Sequence, residues 1–189
     1  RVDCDTPQEP VDREQYRWLL AQSSIVIFSD YAKGALANVS DLIDYPRIAG
    51  KKGLVDPKGQ DYDRYRGAHV IKPNADEMKE MVGGWSSEDR LAQKAEGLRS
   101  DLGLDAILLT RASQGITLFD ARGAHSIPAE QHEVYDVTGA GDTAIAAFAV
   151  ALERGHDMKA AAGYANRAAG IAVTHFGTAI VTKSEGFGD

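Results

Sequence analysis

The chain has 189 residues, a formal net charge of −7, and hydrophobic and charged fractions of 43% and 26%. These fractions lie near the globular average, so wholesale disorder is excluded. The acidic balance argues against a nucleic-acid or membrane-surface partner, because such partners favour a basic face.

Helical patterns and apolar runs alternate along the chain. Helices are predicted, in chain order, over residues 12–22, 38–49, 74–82, 140–154 and 157–176, with a further one that begins at Ser86 or Ser87 and ends at Leu102. Strands are predicted over residues 24–29, 53–57, 68–72 and 106–110, with 115–120 as a hairpin partner of the last. Such alternation predicts an α/β fold with a doubly wound, mainly parallel sheet flanked by helices, and ligands then bind outside the carboxyl ends of the strands.

Some segments do not follow this alternation. Pro46 should shorten or kink the second helix. The charged segment 61–66 is predicted to be exposed, and 121–133 is rich in turn-forming residues. Three aromatic residues are interpreted as packing residues: Tyr16, Trp18 and Trp85.

The chain carries no sign of secretion. Residues 1–12 are polar and acidic, unlike a signal peptide, and the longest uncharged stretch, 168–182, is too short to span a bilayer. The single cysteine, Cys4, can form neither an internal disulfide nor a thiolate zinc site, which favours a cytoplasmic setting. Because the chain lacks an initiating Met, we expect it to be a piece of a longer protein.

The segment Asp136-Val137-Thr138-Gly139-Ala140-Gly141-Asp142 is the strongest functional signal, and it directly precedes an alanine-rich helix. Its glycines leave the backbone N–H groups of Gly139, Ala140 and Gly141 uncovered at the positive end of the helix dipole. This arrangement predicts an anion site suited to a phosphate. Asp142, in the first turn, is placed to accept a proton from an attacking hydroxyl.

Other interpretations of this segment remain open on spacing alone. Glycine-rich turns often precede helices, and an aspartate in a first turn is favoured by the helix dipole. Residues 139–144 also fit a relaxed dinucleotide fingerprint. The late position of the motif and the lack of an acidic strand end about 20 residues later count against that fingerprint.

The segment 136–142 resembles the DTxGAGD signature of the PfkB, or ribokinase-like, carbohydrate kinases. Asn74-Ala75-Asp76-Glu77 resembles the N-x-x-E element of that family, and residues 109–115 resemble its T-R-x-x-x-G segment. The resemblance implies ATP and Mg²⁺ as cofactors. It implies nucleotide-side roles for six further positions: Asn74, Thr110, Arg111, Gly115, Thr138 and Asn166.

In a narrower way, four segments, 29–36, 55–59, 64–68 and 133–142, resemble the kinase domain of bacterial heptose kinase/adenylyltransferases. It implies an ATP-dependent sugar kinase that acts on D-glycero-β-D-manno-heptose 7-phosphate, with a homodimer as the expected assembly. The family's first half, with its sugar-binding element, is missing from the sequence. We therefore interpret residues 1–189 as the C-terminal, nucleotide-binding part of a ribokinase-like domain.

Two alternatives stay open at this point. A ribokinase- or fructokinase-like enzyme would share the fold and differ in its sugar. A non-catalytic nucleotide-binding fragment would share the anion site without turnover.

Several candidate residues have ordinary structural explanations beside the functional ones. Asn74 and Glu77 have the spacing of a helix capping box, and the resemblance adds an indirect contact of Glu77 with Mg²⁺ through water. Asp30 and Lys33 follow a buried strand and are candidate substrate contacts, and Lys58 is a candidate phosphate contact. The five histidines have no metal-binding spacing.

Overall fold

The computed structural model describes residues 9–130, 132–178, 180–182 and 186. Cys4 lies outside these residues. Six α-helices are found in this part of the chain: α1 (Arg13–Ala21), α2 (Val39–Ile48), α3 (Ala75–Val82), α4 (Glu88–Leu102), α5 (Ala140–Glu153) and α6 (Met158–Ala172). The strands are β1 (Ile25–Ser29), β2 (Lys52–Asp56), β3 (Val70–Ile71), β4 (Ala106–Thr110), β5 (Ile116–Asp120) and β6 (Gly123–Ile127). A short 3-10 turn covers Asp63–Tyr65, and another covers Ala112–Gln114.

The six strands form one sheet in the order β1-β2-β3-β4-β5-β6. The pairs from β1 to β4 are parallel, whereas β5 is antiparallel to both β4 and β6. Since β6 therefore runs parallel to β4, its last residue, Ile127, lies at the same edge of the sheet as the carboxyl ends of β1 to β4. The predicted hairpin partner at 115–120 is confirmed as β5.

Helices cover both faces of the sheet. On one face, α1 to α4 pack over a core that includes Phe28, Val55 and Ile107. On the other, α5 and α6 enclose a core of alanine and aliphatic residues around Phe148 and Leu118. The adjacent strand positions Ile107 and Leu108 belong to different cores, as the alternation of side chains along a strand requires.

Polar residues begin four of the helices. The side chains of Asp12, Asn74, Ser87 and Asp157 each accept a backbone N–H of the first turn of α1, α3, α4 and α6. These bonds satisfy donors that a helix start leaves unpaired. No helix among the described residues has both the length and the apolar character that crossing a membrane requires.

Three expectations from the sequence are wrong. Trp18 is 65% exposed, because it lies about 200° around α1 from the buried Tyr16. In the segment 61–66 the expectation fails at Tyr65 alone, which is fully buried, whereas Asp61, Asp63 and Arg66 are exposed. Part of the turn-rich stretch forms β6, which pairs with β5 across a turn that ends at Gly123. The polar β6 carries little strand signal of its own, so its conformation depends on that pairing.

Candidate functional site

The start of α5 lies at the carboxyl edge of the sheet, where α5 packs against β1 and β2. Gly139 is the N-cap residue and has a φ of 78°, a left-handed conformation that favours glycine. Thr143 then donates to the Gly139 carbonyl at 2.8 Å, which closes the first turn of the helix. The predicted glycine-rich turn before a helix is therefore present.

The backbone donors at this helix start are not all available to a ligand. The Ala140 N–H donates to the Val137 carbonyl at 3.2 Å. Within the described residues, the N–H groups of Gly139, Gly141 and Asp142 donate to no acceptor. Three N–H groups with no acceptor in the described part of the chain, at the positive end of a helix, are suited to an anion, although Ala140 is not one of them.

Asp142 lies at this site with an exposed side chain, and a tyrosine from the loop after β1 contacts it. The Tyr31 hydroxyl donates to Asp142 Oδ1 at 3.3 Å. Burial, followed by the Asp142 charge, raises the pKa of Tyr31 above its usual value, so this hydroxyl keeps its proton near neutral pH. Asp142 Oδ2 has no such partner in the described part of the chain and is available to a substrate hydroxyl.

A buried ion pair stands beside the anion site. Lys72 follows β3, is 4% exposed, and places Nζ 3.0 Å from Oδ1 of Asp56 at the end of β2. The same Nζ lies 3.1 Å from the position that a Cβ on Gly141 would occupy. Burial raises the pKa of Asp56, the nearby Lys72 lowers it, and the negative charges of Glu77 and Asp142 raise it. The end of β3 therefore brings a positive charge next to the start of α5.

Asn74 and Glu77 form the capping box that their spacing predicts. Asn74 Oδ1 accepts the N–H groups of Asp76 and Glu77, both at 2.9 Å, and Glu77 Oε2 accepts the Asn74 N–H at 2.9 Å. The other oxygen of Glu77 lies 3.4 Å from Nζ of Lys58. Both functional candidates thus serve the helix start, and Lys58 is linked to them through Glu77.

Three candidate nucleotide-side residues lie at the end of β4 or just after it, and their surroundings differ. Thr110 bridges to Asn74 across the sheet edge and donates its N–H to the Pro73 carbonyl at 3.0 Å. Arg111 forms a bidentate ion pair with Glu88 of α4, in which both N–O distances are 2.7 Å. Gly115 has a φ of 87°, and a Cβ there would lie 2.7 Å from the carbonyl carbon of Pro128. The Arg111 side chain is therefore bound to Glu88 of α4. The absence of a side chain at Gly115 lets the backbone at Pro128 pass close to it.

Asn166 lines a cavity of about 530 Å³ between the end of β6 and α6. Its Nδ2 donates to the Pro128 carbonyl at 2.9 Å, so Asn166 has a structural role in tying α6 to the segment after β6. Gly163 lines the same cavity, and nothing lies within 4 Å of the position a Cβ would occupy there. The volume falls in the range of small-molecule sites.

The anion site and this cavity lie along one sheet edge. The spacing from β3 to β6 is three inter-strand steps, about 14 Å at about 4.8 Å per step. An elongated ligand could therefore place an anionic end at α5 and a planar end beside Asn166.

Asp136 ties the glycine-rich turn to the segment after α6. Its Oδ1 accepts the Thr138 N–H at 2.9 Å, and its Oδ2 accepts the Gly177 N–H at 3.0 Å. The hydrogen bonds from Thr138, followed by that from Gly177, lower the pKa of Asp136, so it stays ionised. The described contacts of Thr138 thus position the turn.

Asp30 and Lys33 differ in their surroundings. Asp30 is 7% exposed, and its carboxylate is held by Tyr65 at 2.8 Å and by the Ala32 N–H at 2.8 Å. Lys33 is exposed in the loop after β1. An exposed position in a solvated loop is one interpretation of both residues. It holds for Lys33, whereas Asp30 is buried.

Sequence reasoning missed Lys72, Asp56, Tyr31 and Tyr65 as site residues. Each lies at or near the carboxyl end of a strand or in the loop that follows. The available signal was a charged or hydroxyl-bearing residue directly after an apolar run, and Lys72 after Val70-Ile71 fits it best. The sequence did not show that Lys72 and Tyr31 reach the start of α5, or that Asp56 and Tyr65 hold the residues around them.

Comparisons with known proteins agree with this geometry. The family model described as pfkB family carbohydrate kinase matches residues 9–185. A D-beta-D-heptose 7-phosphate kinase from Bordetella bronchiseptica is 50% identical over 166 residues, which are 88% of this chain and 53% of that protein. The bifunctional protein HldE from Halorhodospira halophila is 48% identical over 167 residues, 88% of this chain and 35% of that protein. The chain thus spans about half, or about a third, of these relatives.

Solved structures show the same fold at lower identity. Ribokinase from Arabidopsis thaliana, complexed with ribose and ATP, aligns with a TM-score of 0.78 at 22% identity, covering 90% of this chain and 56% of its own. Phosphofructokinase-2 from Escherichia coli, in complex with potassium, aligns with a TM-score of 0.76 at 18% identity, covering 89% and 59%. The ribokinase-like α/β fold predicted from the sequence is confirmed. Because the family model covers residues 9–185, nearly the whole chain, the chain belongs to the pfkB family of carbohydrate kinases.

Proposed function

We propose that the protein containing this chain transfers the γ-phosphoryl group of ATP to the anomeric hydroxyl of D-glycero-β-D-manno-heptose 7-phosphate. The product is the 1,7-bisphosphate, a precursor for ADP-heptose and lipopolysaccharide synthesis. The observation that carries the proposal is Asp142 beside three free backbone donors at the start of α5. The name of the 50% identical Bordetella relative supports the choice of sugar.

In this reaction Asp142 takes the proton of the anomeric hydroxyl while that oxygen bonds to the γ-phosphorus and the bond to the β-phosphate oxygen breaks. The N–H groups of Gly139 and Gly141 stabilise the charge on the transferring phosphoryl group. Lys72 adds a positive charge to the same place, since its ammonium group reaches Gly141. ATP binds along the sheet edge, with its base in the cavity beside Asn166 and with Thr110, Arg111, Gly115 and Thr138 shaping the intervening backbone.

The donor set fits a magnesium ion brought in by the nucleotide. Among the described residues, no group of three His, Cys, Asp or Glu could hold a metal without help. Mg²⁺ commonly keeps several waters and takes only one or two carboxylates beside substrate phosphates. Glu77 and Asn74 would hold it through water. Lys58, next to Glu77, would contact a phosphate. The ion supplies neutralisation of phosphate charge.

Asp30 and Lys33 are proposed to serve the sugar phosphate from the loop after β1, Lys33 by direct contact and Asp30 by shaping the loop. The single cysteine of the sequence, and an ATP-dependent reaction, favour a cytoplasmic enzyme.

The test is substitution of the proposed base in the full-length protein. Asp142→Asn should lower kcat for heptose 7-phosphate by about 10²–10⁴-fold, because general-base assistance is removed while the carboxamide keeps the shape. The KM for ATP should change little. Turnover near the wild-type value would contradict the role of Asp142.

A sugar panel separates the proposal from its alternative. Ribose, fructose and fructose 6-phosphate should be poor substrates beside heptose 7-phosphate at equal concentration. A preference for one of them would favour a ribokinase- or fructokinase-like enzyme. Nucleotide binding without turnover on any sugar would favour a non-catalytic role.

A further inference from the structure

Tyr65 is the largest side chain among the fully buried residues, and its hydroxyl lies within a polar network. The hydroxyl lies 2.8 Å from Asp30 Oδ2 and 3.0 Å from the Lys58 carbonyl oxygen, and it donates to the closer, charged acceptor, Asp30. It also accepts the Lys58 N–H at 3.1 Å. Burial raises the pKa of Tyr65 far above neutral pH, the Lys58 backbone opposes this, and Asp30 adds to it. Tyr65 therefore remains a hydrogen-bond donor that joins the loops after β1 and β2.

Asp30 in turn binds the backbone two residues later in the chain. Its Oδ1 accepts the Ala32 N–H at 2.8 Å, while Arg64 Nη2 lies 3.6 Å from its other oxygen. Ala32 has a φ of 56°, a left-handed conformation that is unfavourable for an alanine. The hydrogen bond from Ala32 to a carboxylate that Tyr65 and Arg64 hold in place supports this unfavourable turn.

Tyr31 lies between Asp30 and Ala32, at the centre of that turn. Tyr31 is 61% exposed, so packing does little to fix it. Its hydroxyl interacts with Ser29, at the end of β1, and reaches Asp142 at 3.3 Å. The position of this hydroxyl therefore depends on the backbone conformation of residues 30–32.

We infer that Tyr65 is a positioning residue that acts through Asp30 and the turn at Ala32 to set the Tyr31 hydroxyl against Asp142. The contact orients the carboxylate so that Oδ2 faces the sugar hydroxyl. This inference rests on the proposed function, in which Asp142 is the base. It also gives a role to the segment 64–68, whose resemblance to heptose kinases the phosphate chemistry leaves unexplained.

The kinetic test uses full-length protein and three variants that each remove one hydroxyl. Tyr65→Phe should lower kcat on the order of tenfold with little change in the KM for ATP, since misplacing a catalytic group is costly. Tyr31→Phe should lower kcat similarly. Tyr62→Phe is the matched control: its hydroxyl bonds Glu80 at 3.2 Å on the surface of α3, and kcat should be unchanged.

A double-mutant cycle separates positioning from a general loss of structure. If Tyr65 acts through Tyr31, Tyr65→Phe should have little further effect on kcat in the Tyr31→Phe background. Equal fold-losses in both backgrounds would overturn the inference, as would an unchanged kcat in Tyr65→Phe.

A second measurement does not depend on activity. Hydrogen–deuterium exchange of residues 30–34 should be faster in Tyr65→Phe than in the parent, and unchanged in Tyr62→Phe. Unchanged exchange in Tyr65→Phe would overturn the inference. Asp30→Asn, which weakens the same hydrogen bonds, provides the comparison if Tyr65→Phe does not fold. Absence of turnover in the parent protein on every sugar would instead contradict the proposed function, while the exchange result would still report on the turn.

Discussion

The ion pair between Lys72 and Asp56 shows how one side chain depends on its surroundings. An ammonium group that is 4% exposed is costly unless a partner compensates its charge, and the Asp56 carboxylate does so at 3.0 Å. The pair also holds a positive charge at the start of α5, where the proposed reaction needs one. The Lys72 ammonium group therefore contributes both to the stability of the fold and to the charge at the proposed site.

This pair should respond differently to single and double substitution. Lys72→Met leaves a largely buried carboxylate without its partner and should lower the free energy of unfolding by about 3 kcal/mol. Asp56→Asn combined with Lys72→Met removes both charges and should recover much of that loss. Denaturant unfolding at neutral pH measures both. A double variant as unstable as the single one would show that the charge imbalance is not the cause.

At the scale of elements, the hairpin of β5 and β6 joins the sheet to the candidate nucleotide cavity. β5 is fully buried and pairs with β4, and β6 ends at Ile127 beside the cavity. The backbone after β6 then passes so close to Gly115 that no side chain fits there. The glycine thus fixes the distance between the loop after β4 and one wall of the cavity.

Substitution of this glycine should show the cost of that close approach. Gly115→Ala combines a positive φ with overlap against the backbone of Pro128 and Ala129, and should cost about 3 kcal/mol or more. Gly123→Ala is the control in the same hairpin. Its φ is 114°, nothing lies within 4 Å of the added Cβ, and it should cost only about 1–2 kcal/mol. Thermal and denaturant unfolding compare the two, and equal losses would contradict the overlap argument.

At the scale of the whole molecule, the sheet has an unpaired edge at β1, which contacts only β2 among the described strands. Apolar side chains on α1, β1 and α5 are partly exposed in this chain: Leu19 at 50%, Ile27 at 37% and Val150 at 41%. An open strand with exposed apolar neighbours favours association with a further strand or a second copy. This edge is the surface at which we expect the 189-residue chain, taken by itself, to self-associate.

The chain by itself should therefore associate as its concentration rises. Ile27→Lys should shift the equilibrium towards monomer, because a charged side chain on an edge strand disfavours pairing. Ile48→Lys, at an 81% exposed position on α2, should not. Sedimentation velocity over a concentration series distinguishes the variants. A parent chain that is monomeric at every concentration would contradict the prediction.

The sequence by itself determined the alternation of helices and strands, the helix starts at Asp12, Asn74 and Asp157, and the glycine-rich turn before α5. It left the start of α4 open between Ser86 and Ser87, and the structure places it at Ser87. These features depend on neighbours along the chain, on spacing, or on a local residue preference. The capping box of Asn74 and Glu77 was readable for the same reason, since its partners are three residues apart.

Only the tertiary structure decided which residues meet. Lys72 reaches Gly141 across the sheet edge, Tyr65 binds Asp30 from 35 positions away, and Tyr31 contacts Asp142 from 111 positions away. It also decided that β6 is a strand and that Trp18 faces solvent. Such contacts depend on strand order and on how helices pack over the sheet, and neither is encoded in the local pattern of a single segment.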